Sequence, residues 1–464
     1  MRSNIDQKDY NIHKGDSWPA WEDFLAGNDS GDETVDKEID TFVKQFSKQG
    51  KYFPIKTETA CQSKWTWSTI WLNEAKTSSC HRVNLWPLPP VENFGNFHNV
   101  PEKLRDRRAM LEGKWPGYGC EYCRDIEQAG GWSDRQHNLE IPGLTPPELE
   151  IDPTAIEVTP RIVELFAYNT CNLSCTYCNS TLSSQIEQEN KRFGEFKQGG
   201  VTLRDTFDTK LDVTKYYEKF LTWLDENIMV LRRLHLLGGE TFIQHDLITR
   251  VLEIIERNPN PDLQFCIFSN MNAPEKYWNL YIGRIKDLQN RGHIKTFDLT
   301  ASIDCWGPEQ EYARYGLNLK LFEERMRWAT EQGDWLRFNC NQTVTCLTMR
   351  TMPELIERIA KYGTKKHIGH YFQFYTGTEM YQHPQTYAYS HWADTFEQIY
   401  KTMPKDTVHQ QEAIPRMQGL EAQLKLVKEH NYEDIRKLHI YLDELDRRRG
   451  TDWRKTFPYL DVHE

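Results

Sequence analysis

The sequence of 464 residues predicts an α/β protein. Two observations carry this. From residue 160 onward, short β-rich apolar runs alternate six times with amphipathic helical stretches, and repeated βα units imply parallel strands with right-handed crossovers. The later strands also place polar residues at alternate positions, as strands lining a barrel interior do. Six units suit a partial (β/α)6 barrel of the TIM type, with its chemistry at the C-terminal strand ends.

In chain order, residues 1–55 are a polar, acidic extension. Residues 56–140 hold Cys61, Cys80, Cys120 and Cys123. Within them 64–72 reads as a strand, 73–77 as a turn, 78–83 as a return strand carrying Cys80, and 100–111 as a helix, followed by the Cys120–Cys123 pair. Four thiolates suit either a closed cubane iron–sulfur cluster or a structural zinc site. Residues 141–159, with Pro142, Pro146, Pro147 and Pro153, form an extended linker. Residues 160–385 contain the strands, expected at 161–168, 229–237, 263–268, 297–304, 336–346 and 369–375. Helices are expected at 213–224, 247–256, 277–289, 322–332 and 353–362. Residues 386–464 are helical: Ile435, Leu438, Leu442 and Leu445 share one helix face. Arg447 to Arg449 then make a solvated basic end before a Gly450 stop.

The formal charge of −11, from 57 basic and 68 acidic residues, argues against a general nucleic-acid or anionic-membrane partner. No apolar run is long enough to span a bilayer, and the N-terminus lacks a signal-peptide apolar region, so a cytoplasmic protein is expected. Eleven cysteines there are not expected to form disulfides. Cys266, Cys305, Cys340 and Cys346 lie in apolar β-like runs and read mostly as core.

The sharpest motif follows the first barrel strand. Cys171, Cys175 and Cys178 have the spacing C-x3-C-x2-C, with Tyr177 before the third. Three thiolates on one loop can hold three irons of a cubane and leave a fourth iron open. A zinc knuckle is less consistent, because no fourth Cys or His follows closely. Gly238-Gly239-Glu240 ends the second strand, where two glycines admit close approach and a carboxylate can receive an ammonium. On the fourth strand Asp298, Thr300, Ser302 and Asp304 share the inward parity. On the fifth, Arg337, Asn339, Asn341 and Thr343 do the same, as substrate groups or as an internal network. The parity turns Cys305, Cys340 and Cys346 outward.

C-x3-C-x-Tyr-C after a first strand resembles the signature of the radical S-adenosylmethionine (SAM) enzymes. The resemblance implies that Cys171, Cys175 and Cys178 hold a [4Fe-4S] cluster whose open iron chelates SAM. Reductive cleavage would then give a 5′-deoxyadenosyl radical that abstracts hydrogen from substrate. It implies that Tyr177 packs near the adenine, that Gly238, Gly239 and Glu240 receive the SAM amino group, and that Ser302 and Asp304 lie near SAM. Arg314 resembles the arginine that contacts the SAM carboxylate; a helix-surface charge is the other reading. The sequence does not name a catalytic acid, base or hydrogen-atom donor.

The N-terminal cysteines resemble the twitch/SPASM-type auxiliary module of such enzymes, placed here before the barrel and with Ala75 where that module has a glycine. This implies a second [4Fe-4S] cluster on Cys61, Cys80, Cys120 and Cys123. It also implies a peptide or protein side chain as substrate, with a small metabolite or nucleotide precursor as the alternative, and an electron donor such as flavodoxin or ferredoxin. A non-catalytic iron–sulfur electron carrier is the reading from another class, and it would not need Glu240 or a polar fourth strand.

Overall fold

The computed structural model describes residues 59–463 apart from 81–82, 84, 118, 129–132, 140–151, 153, 195, 199–200, 203–212, 378 and 404–412. The expected extension 1–55 and most of the proline-rich linker therefore lie outside the described residues. No described helix is long and apolar enough to cross a membrane.

The main sheet has nine strands: β1 (Trp67–Trp71), β2 (Lys76–Ser78), β3 (Trp86–Pro87), β4 (Ile162–Phe166), β5 (Arg233–Leu237), β6 (Gln264–Ser269), β7 (Thr296–Ser302), β8 (Leu336–Val344) and β9 (Ile368–Phe374). Their order is β9-β8-β7-β6-β5-β4-β1-β2-β3. Strands β1 and β4 to β9 pair in parallel, while β2 and β3 join antiparallel at the far edge. The fold is thus mixed α/β with a mainly parallel sheet. All six strands expected from the sequence are present. The second starts later than expected, because Ile228–Val230 continues the preceding helix as a 3-10 turn. Met229 and Val230 are exposed there.

One expectation is corrected. The hairpin assigned to the N-terminal cysteine module belongs to this sheet: β1 pairs with β4 residue for residue, from Trp67 opposite Ile162 to Trp71 opposite Phe166. Residues 67–100 consequently form one compact unit with residues from 159 onward, and described residues 59–66 and 101–158 form another. Side-chain burial explains the pairing. Ile70 and Leu72 are fully buried in the apolar cluster that also contains Val163 and Leu165.

The two faces of the sheet differ. Val163, Leu165, Leu234, Leu236, Phe265, Ile267 and Leu299 are fully buried in an apolar core with the helices Thr214–Asn227, His245–Arg257 and Glu275–Asn290. The other parity carries a polar row in register across six strands: Thr69, Glu164, His235, Cys266, Asp298 and Arg337. Thr69 Oγ1 donates to Glu164 Oε2 at 2.6 Å, and Glu164 Oε1 lies 3.1 Å from His235 Nδ1. Arg233 donates through Nε to Cys266 Sγ at 3.2 Å and through Nη2 to Asp298 Oδ2 at 2.8 Å. Burial disfavours a charge on His235, but Cys266 and Glu164 outweigh it, and the pKa is raised to about 9. Cys266 is therefore no apolar core thiol, as its strand had implied, whereas Cys340 is buried in the apolar cluster.

The C-terminal region is helical as expected, with Ala393–Thr402, Ile414–Lys425, Tyr432–Arg449 and Trp453–Thr456. Ile435, Leu438, Leu442 and Leu445 are buried in a second apolar cluster. Gly450 adopts φ 67° and caps the helix through Asp446 O. Its basic end is solvated only at Arg447, which is exposed. Arg449 pairs with Glu189 at 2.8 Å, and the Arg448 guanidinium stacks 3.7 Å from the Phe196 ring centroid.

The second unit contains the helices Ser63–Thr66, Pro101–Leu111, Glu121–Gln128 and Asp134–Leu139. A buried pair, Lys64 Nζ to Asp106 Oδ2 at 2.7 Å, ties the first two. Arg107 donates to the Lys64 and Ile156 carbonyls, each at 2.7 Å.

Candidate functional site

The loop after β4 carries Cys171, Cys175 and Cys178. Local capping sets its path. Ser183 caps the helix Ser184–Phe193 by accepting from Ile186 N, and its hydroxyl donates to Leu173 O at 2.7 Å. Ser184 Oγ accepts the Cys171 N–H at 3.1 Å. Asn169 Nδ2 donates to Ser180 O at 2.8 Å, closing the loop at its base. Ser174–Cys175 forms a two-residue antiparallel pairing with Arg314–Tyr315. Cys178 N donates to Cys175 O, making the turn that separates the second and third thiols.

Gly238-Gly239-Glu240 meets this loop directly. Gly238 and Gly239 have φ of 84° and 55°, and a Cβ on Gly239 would lie 2.2 Å from Thr170 O. Glu240 N donates to that same carbonyl at 2.8 Å. The glycines are needed because the end of β5 passes against the cysteine-loop backbone. The Glu240 carboxylate is fully buried and accepts from Phe242 N at 3.2 Å, Ser269 Oγ at 2.9 Å and Asn270 N at 2.6 Å. Burial pushes its pKa up to about 7 despite these three donors. Burial, with the charge of Cys175, likewise raises the Cys171 thiol.

The third part is built around Asp304, just past β7. Its buried carboxylate accepts Arg314 Nε at 2.7 Å and Nη2 at 3.0 Å, the Tyr177 hydroxyl at 2.7 Å and Thr343 N at 2.9 Å. Arg314 Nη1 lies 3.9 Å from Cys175 Sγ, and the guanidinium stands 5.5 Å from the Tyr177 ring centroid. Arg314 is therefore a buried partner of Asp304 and the cysteine loop, and the helix-surface reading is excluded. Tyr177 also spends its hydroxyl on Asp304. Ser302 ends β7 half-buried, in register with Asn341.

Several participants had no role in the sequence reading. Asn270 Nδ2 donates to Asn172 Oδ1 at 2.8 Å, and Asn172 Nδ2 donates to Asn272 O at 3.1 Å, so the end of β6 grips the cysteine loop. The only sequence signal is the Asn-Met-Asn at that strand end. Gln310 Oε1 accepts the Asp304 and Cys305 N–H groups. Tyr441, on a C-terminal helix, donates its hydroxyl to Thr176 O, a contact that no local pattern announces. Of the histidines near β9, His370 Nε2 lies 2.9 Å from Gln342 Oε1, and burial lowers the His383 pKa to about 4.

The N-terminal cysteines divide between the two units. Cys61, Cys120 and Cys123 belong to one, and Cys80 follows β2 in the other. Arg135 donates to Ala60 O at 2.8 Å and pairs with Glu127. Burial opposes its charge, but Glu127, Cys61 and Cys123 more than compensate and raise its pKa. Ala75 adopts φ 49°, so the position where the auxiliary module has glycine does take the left-handed conformation here.

Three cysteine thiols on one loop, Cys171, Cys175 and Cys178, are donor chemistry that suits an iron–sulfur cluster with one iron left open.

No protein-family model matches the chain. No curated protein matches it either. Solved structures similar to it include Streptococcus suis SuiB bound to S-adenosylmethionine, at 14% identity and a TM-score of 0.36 over 71% of this chain. Another is SuiB bound to the precursor peptide SuiA, at 14% identity and a TM-score of 0.33 over 68%. The chain spans 65% and 64% of the length of those SuiB chains.

Proposed function

We propose that this chain is a radical SAM enzyme acting on a peptide or protein side chain. One observation carries the class: the loop of Cys171, Cys175 and Cys178 is held against both the Gly238-Gly239-Glu240 turn and the Asp304–Arg314–Tyr177 cluster. The three motifs are separated in sequence and meet at the C-terminal ends of β4, β5 and β7. The three thiolates would hold a [4Fe-4S] cluster, which when bound and reduced by a flavodoxin- or ferredoxin-type donor would supply the reductive cleavage of SAM that hydrogen abstraction from substrate needs.

The protein's own residues bind and orient. A carboxylate has about four lone-pair sites, and Glu240 uses three on its internal donors, leaving one for the SAM ammonium. Asp304 holds Arg314 in two-point contact, fixing a positive charge beside Cys175. Ser302 and the polar parity of β7 and β8 contribute to the SAM and substrate surface. The peptide reading rests on the N-terminal cysteines, whose resemblance is to auxiliary modules of peptide-modifying enzymes.

Anaerobic reconstitution with iron and sulfide, followed by SAM and a strong reductant, tests the class. The product 5′-deoxyadenosine should form with wild type and with Cys340→Ala and be lost in Cys175→Ala. Absence of SAM cleavage by cluster-replete wild type would overturn the reading.

A further inference from the structure

After the helix Trp453–Thr456, the chain lies along the helix Tyr432–Arg449. Tyr387 donates its hydroxyl to Leu460 O at 2.9 Å, and His439 Nε2 lies 2.8 Å from the same carbonyl. This places three donors of mixed chemistry together. A ring nitrogen of His439, a ring nitrogen of His463 and a carboxylate oxygen of Asp461 lie within 4.8 Å of one another. Among the described residues this is the one group of three His, Cys, Asp or Glu donors at such spacing.

Three further features are compatible with an ion between these donors. A carbonyl can only accept, so His439 Nε2 carries the proton and the lone pair is on Nδ1. Metal-bound histidines commonly donate their other nitrogen to a carbonyl in this way, which fixes the tautomer. His463 Nε2 and Asp461 Oδ1 stand 3.2 Å apart. Two donors each about 2.0–2.1 Å from one tetrahedral ion would be separated by roughly 3.3 Å. The competing cation, Arg454, is 3.7 Å from Asp461 but pairs more closely with Asp443, at 2.5 Å. The site is buried on the His439 side and open at His463, leaving room for water ligands.

We propose that His439, Asp461 and His463 bind a divalent first-row transition ion, zinc being the ion that two imidazoles and a carboxylate suit best. The ion clamps the segment 460–463 to the helix whose Tyr441, two residues from His439, donates to the Thr176 carbonyl of the cysteine loop. The site contains no cysteine and shares no residue with the proposed reaction.

Equilibrium dialysis of the reconstituted, desalted full chain against micromolar zinc, with metals counted by mass spectrometry, tests this. Wild type should take up one zinc per chain beyond its starting content, with iron unchanged. His463→Ala and Asp461→Asn should weaken that uptake more than about tenfold. The exposure of His463 makes misfolding of the first variant an unsuitable explanation. Equal zinc uptake by wild type and both variants would overturn the site. So would no added zinc in wild type, or zinc that enters only as iron leaves, since that zinc sits on the cysteines.

Discussion

Glu240 shows what burial does to a single carboxyl. Its pKa is about 7 in the folded chain against an ordinary value of 4.5. Between those values the folded state keeps a proton that the unfolded state has released, so stability falls as pH rises through this window. The difference between the two values corresponds to roughly 3 kcal/mol, lost as pH rises through 7. Urea unfolding at pH 5 and pH 8 should show the wild type losing up to about 3 kcal/mol more than Glu240→Gln. Equal losses would show that this carboxyl is not buried as described. The residue's identity was readable from Gly-Gly-Glu, but its three internal donors come from 242, 269 and 270, and no spacing rule links those to 240. The same holds for Asp304 and Arg314. Each was singled out by motif, yet their pairing depends on the strand Arg314–Tyr315 docking onto Ser174–Cys175.

At the scale of elements, the cysteine loop and the end of β5 are one unit joined by a glycine. Gly239→Ala places a Cβ against Thr170 O in a left-handed residue. The conformation alone costs about 1–2 kcal/mol, and the loop must also move. Chemical denaturation should register that loss, together with reduced iron retention on the loop. Gly419→Ala is the contrast. A Cβ there meets nothing within 4 Å, inside the helix Ile414–Lys425, so it should stabilise by up to about 1 kcal/mol. The six expected strands were legible because each is a short apolar run bounded by helical periodicity. Strand β1 was recognised as a strand but not as a parallel one, since its partner β4 begins 95 residues later. Cys266 was misread because its neighbours Phe265 and Ile267 made the run look apolar throughout. Its parity with Gln264 already pointed it to the polar face.

For the whole molecule, the proposed function makes iron content the deciding quantity. Two cubanes give about eight irons per chain. Replacing Cys61, Cys120 and Cys123 with alanine should leave about four, and so should replacing Cys171, Cys175 and Cys178. Iron analysis after reconstitution reads both numbers directly. About four irons in wild type, unchanged by the first replacement, would leave the N-terminal set without a cluster. The class of the fold followed from alternating periodicities that any stretch of the chain displays locally. The division of the four N-terminal cysteines between two compact units did not, because it depends on where the hairpin pairs, and that is settled by burial across distant segments.

The contact from Tyr441 to the Thr176 carbonyl spans 265 positions, and Gln382 reaches the same carbonyl across 206. On a ribosome the cysteine loop emerges long before either partner, and chains fold from the N-terminal side as they are made. The loop therefore stays without these two backbone anchors until residues 382 and 441 have emerged. Fastening of the loop waits on segments far downstream of it, and a chain truncated before residue 441 would present its three cysteines on an incompletely fastened turn.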